Sequence, residues 1–310
     1  MNAGRPGGGE GEQPEGFALW LAGARVKTLP AAAVPVAVGT AAAVLPDAGW
    51  DGSIIWWRAA LALMVALALQ IGTNYANDYS DGIRGTDEDR VGPLRLVGSG
   101  LVEPSMVKRA AFACFGAAGV AGLILAAAVG WELLIVGVLS IAAGWFYTGG
   151  SRPYGYMGLG EVFVFVFFGL VATAGSTYVQ RGELTGLSVI AGCAVGCLAC
   201  ALLVINNLRD IPSDTESGKN TLAVRLGDGR TRVLYGVLMA GPFVLALIMV
   251  PERRWAIIAL GAVPAVLAPV RTVRSEAKGT ALIPVLGGTG RAQMVFGLLL
   301  SIGLWISGVS

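Results

Sequence analysis

Two short stretches carry acidic and amide side chains at a spacing suited to chemistry. The first reads Asn74-Tyr-Ala-Asn-Asp78-Tyr-Ser-Asp81, and the second Asn206-Asn-Leu-Arg-Asp210-Ile-Pro-Ser-Asp214. Each places Asn four residues before an Asp, with a second Asp three or four residues on. Helical positions i, i+3 and i+4 share a face, so Asn74, Asp78 and Asp81 project together. Asp78 and Asp210 stand 132 residues apart, which points to an internal repeat that sets two acidic clusters face to face. Four converging carboxylates repel one another unless cations sit between them. Hard divalent ions such as Mg²⁺ are held by carboxylates together with substrate phosphate oxygens. The pattern therefore predicts a metal-bridged, phosphorylated substrate at Asp78, Asp81, Asp210 and Asp214. Ordinary helix-end carboxylates at a water boundary would explain one such pair, but not two matched copies.

Basic residues interleave with the acids: Arg84, Arg90, Arg95, Arg209, Lys219 and Arg225. Arg grips phosphate oxygens through paired hydrogen bonds and Lys does so as a point charge. Lys219 and Arg209, beside the second acidic cluster, are the foremost candidates. The chain has no histidine, which removes the commonest general base and the commonest transition-metal ligand. Its four cysteines, Cys114, Cys193, Cys197 and Cys200, lie inside apolar runs and read as small packing residues, so Zn²⁺ is a poor fit.

Apolar residues make up 55% of the 310 positions and charged residues only 14%, well below the roughly 25% of a soluble domain. The charges crowd into a few connections. Nine apolar stretches approach the roughly 20 residues that a membrane span requires: about 27–45, 57–77, 108–129, 132–148, 159–180, 187–207, 232–250, 254–272 and 292–309. The expected fold is an all-α membrane bundle of nine helices over 17–310, preceded by a Gly-, Pro- and Glu-rich disordered tail at 1–16. With the N-terminus in the cytoplasm, alternating connections put 18 of the 22 basic residues on the cytoplasmic side, as the positive-inside rule requires. Seven of the nine aspartates fall on that same side, among them both motifs and Asp87 and Asp89. The acidic clusters thus mark a polar site at the cytoplasmic surface of the cell membrane.

At these residues the chain resembles a known family. NDYSDGIRGTDEDRVGPLR (77–95) and NNLRDIPSDTESGKNTLAVRLG (206–227) are similar to the signature segments of the UbiA superfamily of membrane prenyltransferases. YTGGSRPYGYMGLGE (147–161) and RVKTLPAA (25–32) add to the likeness, which covers nearly all of the chain after residue 17. The GTD, GPLR and GKNTLAVRLG stretches point to the branch that prenylates 1,4-dihydroxy-2-naphthoate in menaquinone synthesis. A 4-hydroxybenzoate-type spacing would put an acid at Gly85, whereas the next acid here is Asp87. Pro212, between Asp210 and Asp214, is expected to end the span at Asp210 and leave Asp214 on a new turn.

The resemblance implies a transferase that moves a polyprenyl group from its diphosphate to an aromatic acid, with loss of diphosphate and CO₂. Two Mg²⁺ ions would be held by the four aspartates, and Asn74 and Asn206 would supply neutral oxygens or orient the carboxylates. Arg84, Arg25 and Lys27 become candidates for binding diphosphate or the acceptor carboxylate, and Tyr147 for contacting diphosphate or shielding the allylic cation. Phe163, Phe165, Phe167 and Phe168 are candidate walls of an apolar channel for the prenyl tail, and Glu161 is a buried polar candidate. The partners implied are polyprenyl diphosphate, the aromatic acid and membrane lipid, with no nucleic acid. Other acceptors, such as 4-hydroxybenzoate, homogentisate or a chlorin ring, stay open. A secondary transporter is the rival from another class, although its charges would be expected at the midplane rather than at one face. A non-catalytic scaffold would leave the duplicated motif unexplained.

Overall fold

The computed structural model describes residues 15–46, 49, 53–85 and 94–310, and among them every regular element is helical. Helix α1 (Gly16–Ala24) stops where Arg25 takes a left-handed conformation, φ 53°. A 3₁₀ turn, Val26–Thr28, follows, and Pro30 opens α2 (Pro30–Ala42) at its first turn, where a missing N–H costs nothing. The two helices meet at a 51° bend. Helix α3 (Trp56–Ile83) carries the first acidic motif through its last turns. Helices α4 (Pro104–Val129) and α5 (Glu132–Phe146) are separated by Gly130 and Trp131, as the sequence indicates. Helix α6 (Gly160–Arg181) widens to π-helical turns over Phe165–Val171.

Helix α7 (Gly186–Glu216) begins with a reciprocal cap: Thr185 Oγ1 accepts the Ser188 N–H at 3.1 Å, and Ser188 Oγ accepts the Thr185 N–H at 3.2 Å. Helix α8 (Leu222–Met249) is capped by Thr221 and kinks at Gly227, φ 75°. Helices α9 (Arg254–Arg274) and α10 (Gly279–Val309) complete the chain.

Seven helices, α3, α4 and α6 to α10, are long and apolar enough to cross a membrane, and the bent α1–α2 pair makes an eighth as one span. Helix α5 has 15 residues, short of the roughly 20 that a span needs. The protein is thus a multi-pass membrane protein, but the expected count of nine is not reached on length and composition. The tail read at 1–16 lies outside the described residues as far as residue 14, as do Asp87, Asp89 and Arg90.

Helix α7 sits at the centre, with 67% of its most apolar stretch buried against 28–44% for the other long helices. It packs along α8 and against the π-turns of α6, while α3 packs along α4 and α10 against both α2 and α9. Small residues allow these approaches. A Cβ added at Gly169 in α6 would stand 2.6 Å from the Gly196 Cα in α7, so both helices meet backbone to backbone there. The α7 cysteines contribute to this packing: Cys200 is buried, Cys193 and Cys197 are partly buried, and all are free thiols.

One expectation is corrected. Pro212 does not end α7, which runs on to Glu216 with Asp210 and Asp214 on one continuous helix. Proline's fixed φ is compatible with helix, and side chains brace the turns on either side. Ser213 Oγ donates to the Asp210 carbonyl at 3.1 Å, and Thr215 Oγ1 donates to the Ile211 carbonyl at 2.7 Å.

Candidate active site

The motif-bearing ends of α3 and α7 are bridged by the segments that follow α7 and α5. The last turn of α7 closes with the Lys219 N–H donating to the Asp214 carbonyl at 2.8 Å, and Gly218 takes the left-handed conformation (φ 73°) that the reversal needs. That reversal sends the Lys219 ammonium to within 3.7 Å of the Asp81 carboxylate on α3. The loop between α5 and α6 supplies a further donor, the Tyr156 hydroxyl, which donates to Asp81. Lys219 also stands 4.7 Å from the centre of the Tyr156 ring, and the Tyr156 carbonyl accepts the Asn220 N–H at 3.0 Å. Arg95 approaches Asp81 at 3.9 Å from the other side. Asp81 is 3% exposed, so cationic and hydroxyl donors stand where water would otherwise solvate it.

The second motif is organised differently. Arg209 forms a paired bond to Asp210, with Nε at 2.6 Å and Nη2 at 2.8 Å, and Nη2 also donates to Asn206 Oδ1 at 2.8 Å. Asp210 and Asp214 are both buried. Asp78 accepts two backbone N–H groups, from Leu96 at 2.8 Å and Val97 at 3.0 Å. Asn74 ties α3 to the bend before α2, its amide donating to the Ala24 carbonyl at 2.9 Å and to Thr28 Oγ1 at 3.1 Å.

Among the described residues no three acidic, cysteine or histidine side chains gather closely enough to hold one ion. The expected convergence of four carboxylates is therefore not formed. Each acidic pair instead keeps its own cations, Lys219 and Arg95 at Asp81 and Arg209 at Asp210. The donor set still suits a hard divalent ion such as Mg²⁺. It consists of buried carboxylates, with no imidazole in the chain and the thiols of α7 packed among apolar neighbours. Asp78 and Asp81 on α3, and Asp210 and Asp214 on α7, are the residues that would hold such ions as two separate pairs.

Other candidates fall in distinct places. The Arg84 guanidinium donates to the Thr148 and Gly150 carbonyls and braces the α5–α6 loop. Arg225 is exposed and donates to the Asn220 carbonyl. Lys27 is exposed on the Val26–Thr28 turn and makes no hydrogen bond or ion pair among the described residues. The charge of Arg25 acts on Asp78 from the α1–α2 bend. Glu161, 7% exposed, accepts Asn207 Nδ2 at 3.0 Å, and its other oxygen has no partner.

Beneath this cluster lies a cavity of about 410 Å³ whose lining holds no charged side chain. Its wall follows α3 from Ala62 to Asn77, about 22 Å of helix at 1.5 Å per residue. Gln70, Thr73, Asn74 and Asn77 give it a polar edge near the motif, where Tyr147 and Tyr154 also face it. Farther in it is apolar, lined by Phe163, Phe167 and Phe168 of α6 and by Gly119, Gly122 and Leu123 of α4. Phe165 is not in this wall. It packs instead against α7, where a Cβ at Gly196 would stand 3.0 Å from its ring. Sequence reasoning passed over Tyr156 and Asn77. An aromatic residue in the Gly- and Pro-rich loop, and the Asn directly before Asp78, were the signals available for them.

A charged cluster at the end of α3 and an uncharged, elongated cavity along the same helix suit an amphiphile with an anionic head and a hydrocarbon tail. The model of the UbiA prenyltransferase family matches residues 32–282. The chain belongs to the UbiA prenyltransferase family. It is 51% identical over 282 residues to a 1,4-dihydroxy-2-naphthoate octaprenyltransferase of Mycobacterium tuberculosis, covering 91% of this chain and 95% of that one. It is 41% identical over 298 residues to the Escherichia coli protein of the same name, covering 93% and 95%. A solved UbiA homolog from Archaeoglobus fulgidus, bound to GPP and Mg²⁺, shares the fold with a TM-score of 0.65 at 15% identity, over 91% of this chain and 99% of that one.

Proposed function

We propose that this UbiA-family prenyltransferase moves a polyprenyl group from its diphosphate onto 1,4-dihydroxy-2-naphthoate. Diphosphate and CO₂ leave, and the product is a demethylmenaquinol. The observation that carries the reading is the cluster of Asp81, Lys219, Arg95 and Tyr156 together with an uncharged cavity whose polar edge, Asn74 and Asn77, lies on the same end of α3. The acceptor is assigned from the relatives named for the naphthoate reaction.

In this reading the prenyl tail lies along α3 and α6 inside the cavity, which keeps water from the allylic carbon. Lys219 and Arg95, now turned to Asp81, turn to the diphosphate oxygens when substrate arrives and stabilise the leaving group. Asp78, Asp81, Asp210 and Asp214 would hold Mg²⁺, which would supply charge neutralisation at the departing diphosphate. Arg209 holds Asp210 in place through its paired bond. Tyr147 and Tyr154, facing the cavity near the motif, present ring faces to developing positive charge at the allylic carbon. Loss of CO₂ from the attacked ring carbon removes the need for a strong base, in keeping with a chain without histidine. If α5 also crosses, the basic-residue bias places the site on the cytoplasmic side.

The test incubates the purified protein with a long polyprenyl diphosphate, Mg²⁺ and either dihydroxynaphthoate or 4-hydroxybenzoate, and follows products by mass. Prenylated, decarboxylated naphthoate that disappears with EDTA is the expected result. Product from the benzoate alone would overturn the acceptor assignment, and EDTA-resistant product would overturn the metal.

A further inference from the structure

The bend between α1 and α2 meets α3 through a small polar network that fixes the orientation of one amide. Thr28 Oγ1 gives its single proton to the Arg25 carbonyl at 2.8 Å, so toward α3 it can only accept. It accepts Gln70 Nε2 and Asn74 Nδ2, each at 3.1 Å. Asn74 Nδ2 also donates to the Ala24 carbonyl at 2.9 Å, which leaves the Asn74 oxygen facing Gln70, 3.5 Å from its Nε2. Both groups beside the Gln70 amide are therefore acceptors, and turning that amide over would set oxygen against oxygen. The Gln70 nitrogen is held in the network, and its carbonyl oxygen, Oε1, is turned out of it. Gln70 is 8% exposed and lines the cavity, and Oε1 meets no hydrogen-bond donor among the described residues.

Buried acceptors are almost always partnered, because one without a donor forfeits its solvation. An acceptor left on a cavity wall calls for a ligand that brings the donor. A polyprenyl diphosphate has none to bring, since its tail is hydrocarbon and its ionised head accepts. An aromatic acceptor brings its ring hydroxyls. We propose that Gln70 binds the aromatic acceptor, its Oε1 accepting a hydrogen bond from a ring hydroxyl. Gln70 thereby acts within the proposed prenyl transfer, on which the identity of this ligand rests. In 1,4-dihydroxy-2-naphthoate the 1-hydroxyl lies beside the carboxylate and donates to it internally. The 4-hydroxyl is the free donor, and it is the one that Gln70 takes. Gln70 stands eight residues before Asp78 on α3, about 12 Å of helix at 1.5 Å per residue. That length leaves room for the diphosphate, the bond that breaks and one ring between the carboxylates and the amide. A ring without the hydroxyl leaves Oε1 unpaired, so the same contact selects the acceptor.

The test is a cycle between the side chain and the hydroxyl. Parent and variants, purified as the full chain, are assayed with a long polyprenyl diphosphate and Mg²⁺. The KM for dihydroxynaphthoate is set against the inhibition constant of 1-hydroxy-2-naphthoate, which lacks only the 4-hydroxyl. The parent is expected to favour dihydroxynaphthoate about tenfold, as one buried hydrogen bond implies. Gln70→Met, of similar length but without the amide, is expected to raise that KM about tenfold and to bind the two naphthoates within about twofold of each other. Its KM for polyprenyl diphosphate is expected to stay within about twofold of the parent, since the lost contact is with the acceptor alone. Gln70→Asn keeps the amide but draws it back by one carbon, and it is expected to lose most of the preference as well. It carries the test if Gln70→Met does not fold. A parent without the preference, or a folded variant that keeps it, would overturn the inference and leave Gln70 as a tie between α3 and the bend. A parent that makes no product from dihydroxynaphthoate would instead bring down the acceptor assignment, and this contact with it.

Discussion

Asp81 and Asp210 are both buried beside cations, yet the two pairs differ in tightness. Arg209 meets Asp210 in a paired bond at 2.6 and 2.8 Å, whereas Lys219 stands 3.7 Å from Asp81. The first is structural: removing Arg209 strands a buried carboxylate, at about 3 kcal/mol or more of stability. The second is a longer contact, which Asp81 shares with Arg95 and Tyr156. Arg209→Ala is therefore expected to lower the Tm in detergent by several degrees, while Lys219→Gln keeps its Tm and raises KM for polyprenyl diphosphate about tenfold. A Lys219→Gln protein with unaltered KM would remove Lys219 from the diphosphate site. At this scale the sequence shows the acids and their spacing plainly. It does not show the partners, because Tyr156 and Lys219 reach Asp81 across 75 and 138 positions of chain. The repeated Asn-xxx-Asp spacing singles out Asn74, which does share a face with Asp78. That face, however, looks toward α1 at Asn74, whereas Asn77 accepts the Thr148 hydroxyl at 2.7 Å beside the motif.

The apolar stretches located each long helix but not its ends. Hydropathy stops where charge begins, near 77 on α3 and 207 on α7. The helices themselves continue to Ile83 and Glu216, because hydrogen bonding along the backbone does not depend on the apolar face that first marks the segment. Both acidic motifs occupy those continuations. The helix that carries the second motif is seated by the tight crossing of α6 and α7 at Gly169 and Gly196, which no hydropathy pattern reports. A Cβ on Gly196 would stand 3.0 Å from the Phe165 ring and 3.1 Å from the Gly169 Cα. Gly196→Val is accordingly expected to destabilise the fold by about 2 kcal/mol through overpacking, read as a lower Tm in detergent, with transfer rates falling as the two helix ends separate. Parental Tm would mean that α6 yields at its π-turns without cost.

Across the whole molecule, the proposed place of the prenyl chain is the cavity along α3 and α6. Gly122 lines it, and a Cβ built there meets nothing within 4 Å. A larger side chain at that position takes space from the cavity rather than from neighbouring helices. Gly122→Leu is thus expected to keep the parental Tm and to cut transfer from a long polyprenyl diphosphate about tenfold or more, while a two-isoprene donor is used as before. Equal loss with both donors would place the tail elsewhere.

Leu123, Leu134 and Val138 belong to the cavity wall and are also 49%, 37% and 67% exposed. The apolar cavity therefore adjoins the apolar surface of the bundle rather than lying sealed in its centre. Donor and product are themselves hydrocarbon over most of their length, so the reservoir that feeds the enzyme is the bilayer and not the aqueous phase. Saturation should follow the mole fraction of prenyl diphosphate among the lipids. Adding inert lipid at constant molar donor should slow the enzyme as dilution slows any bimolecular encounter, a form of inhibition without an inhibitor.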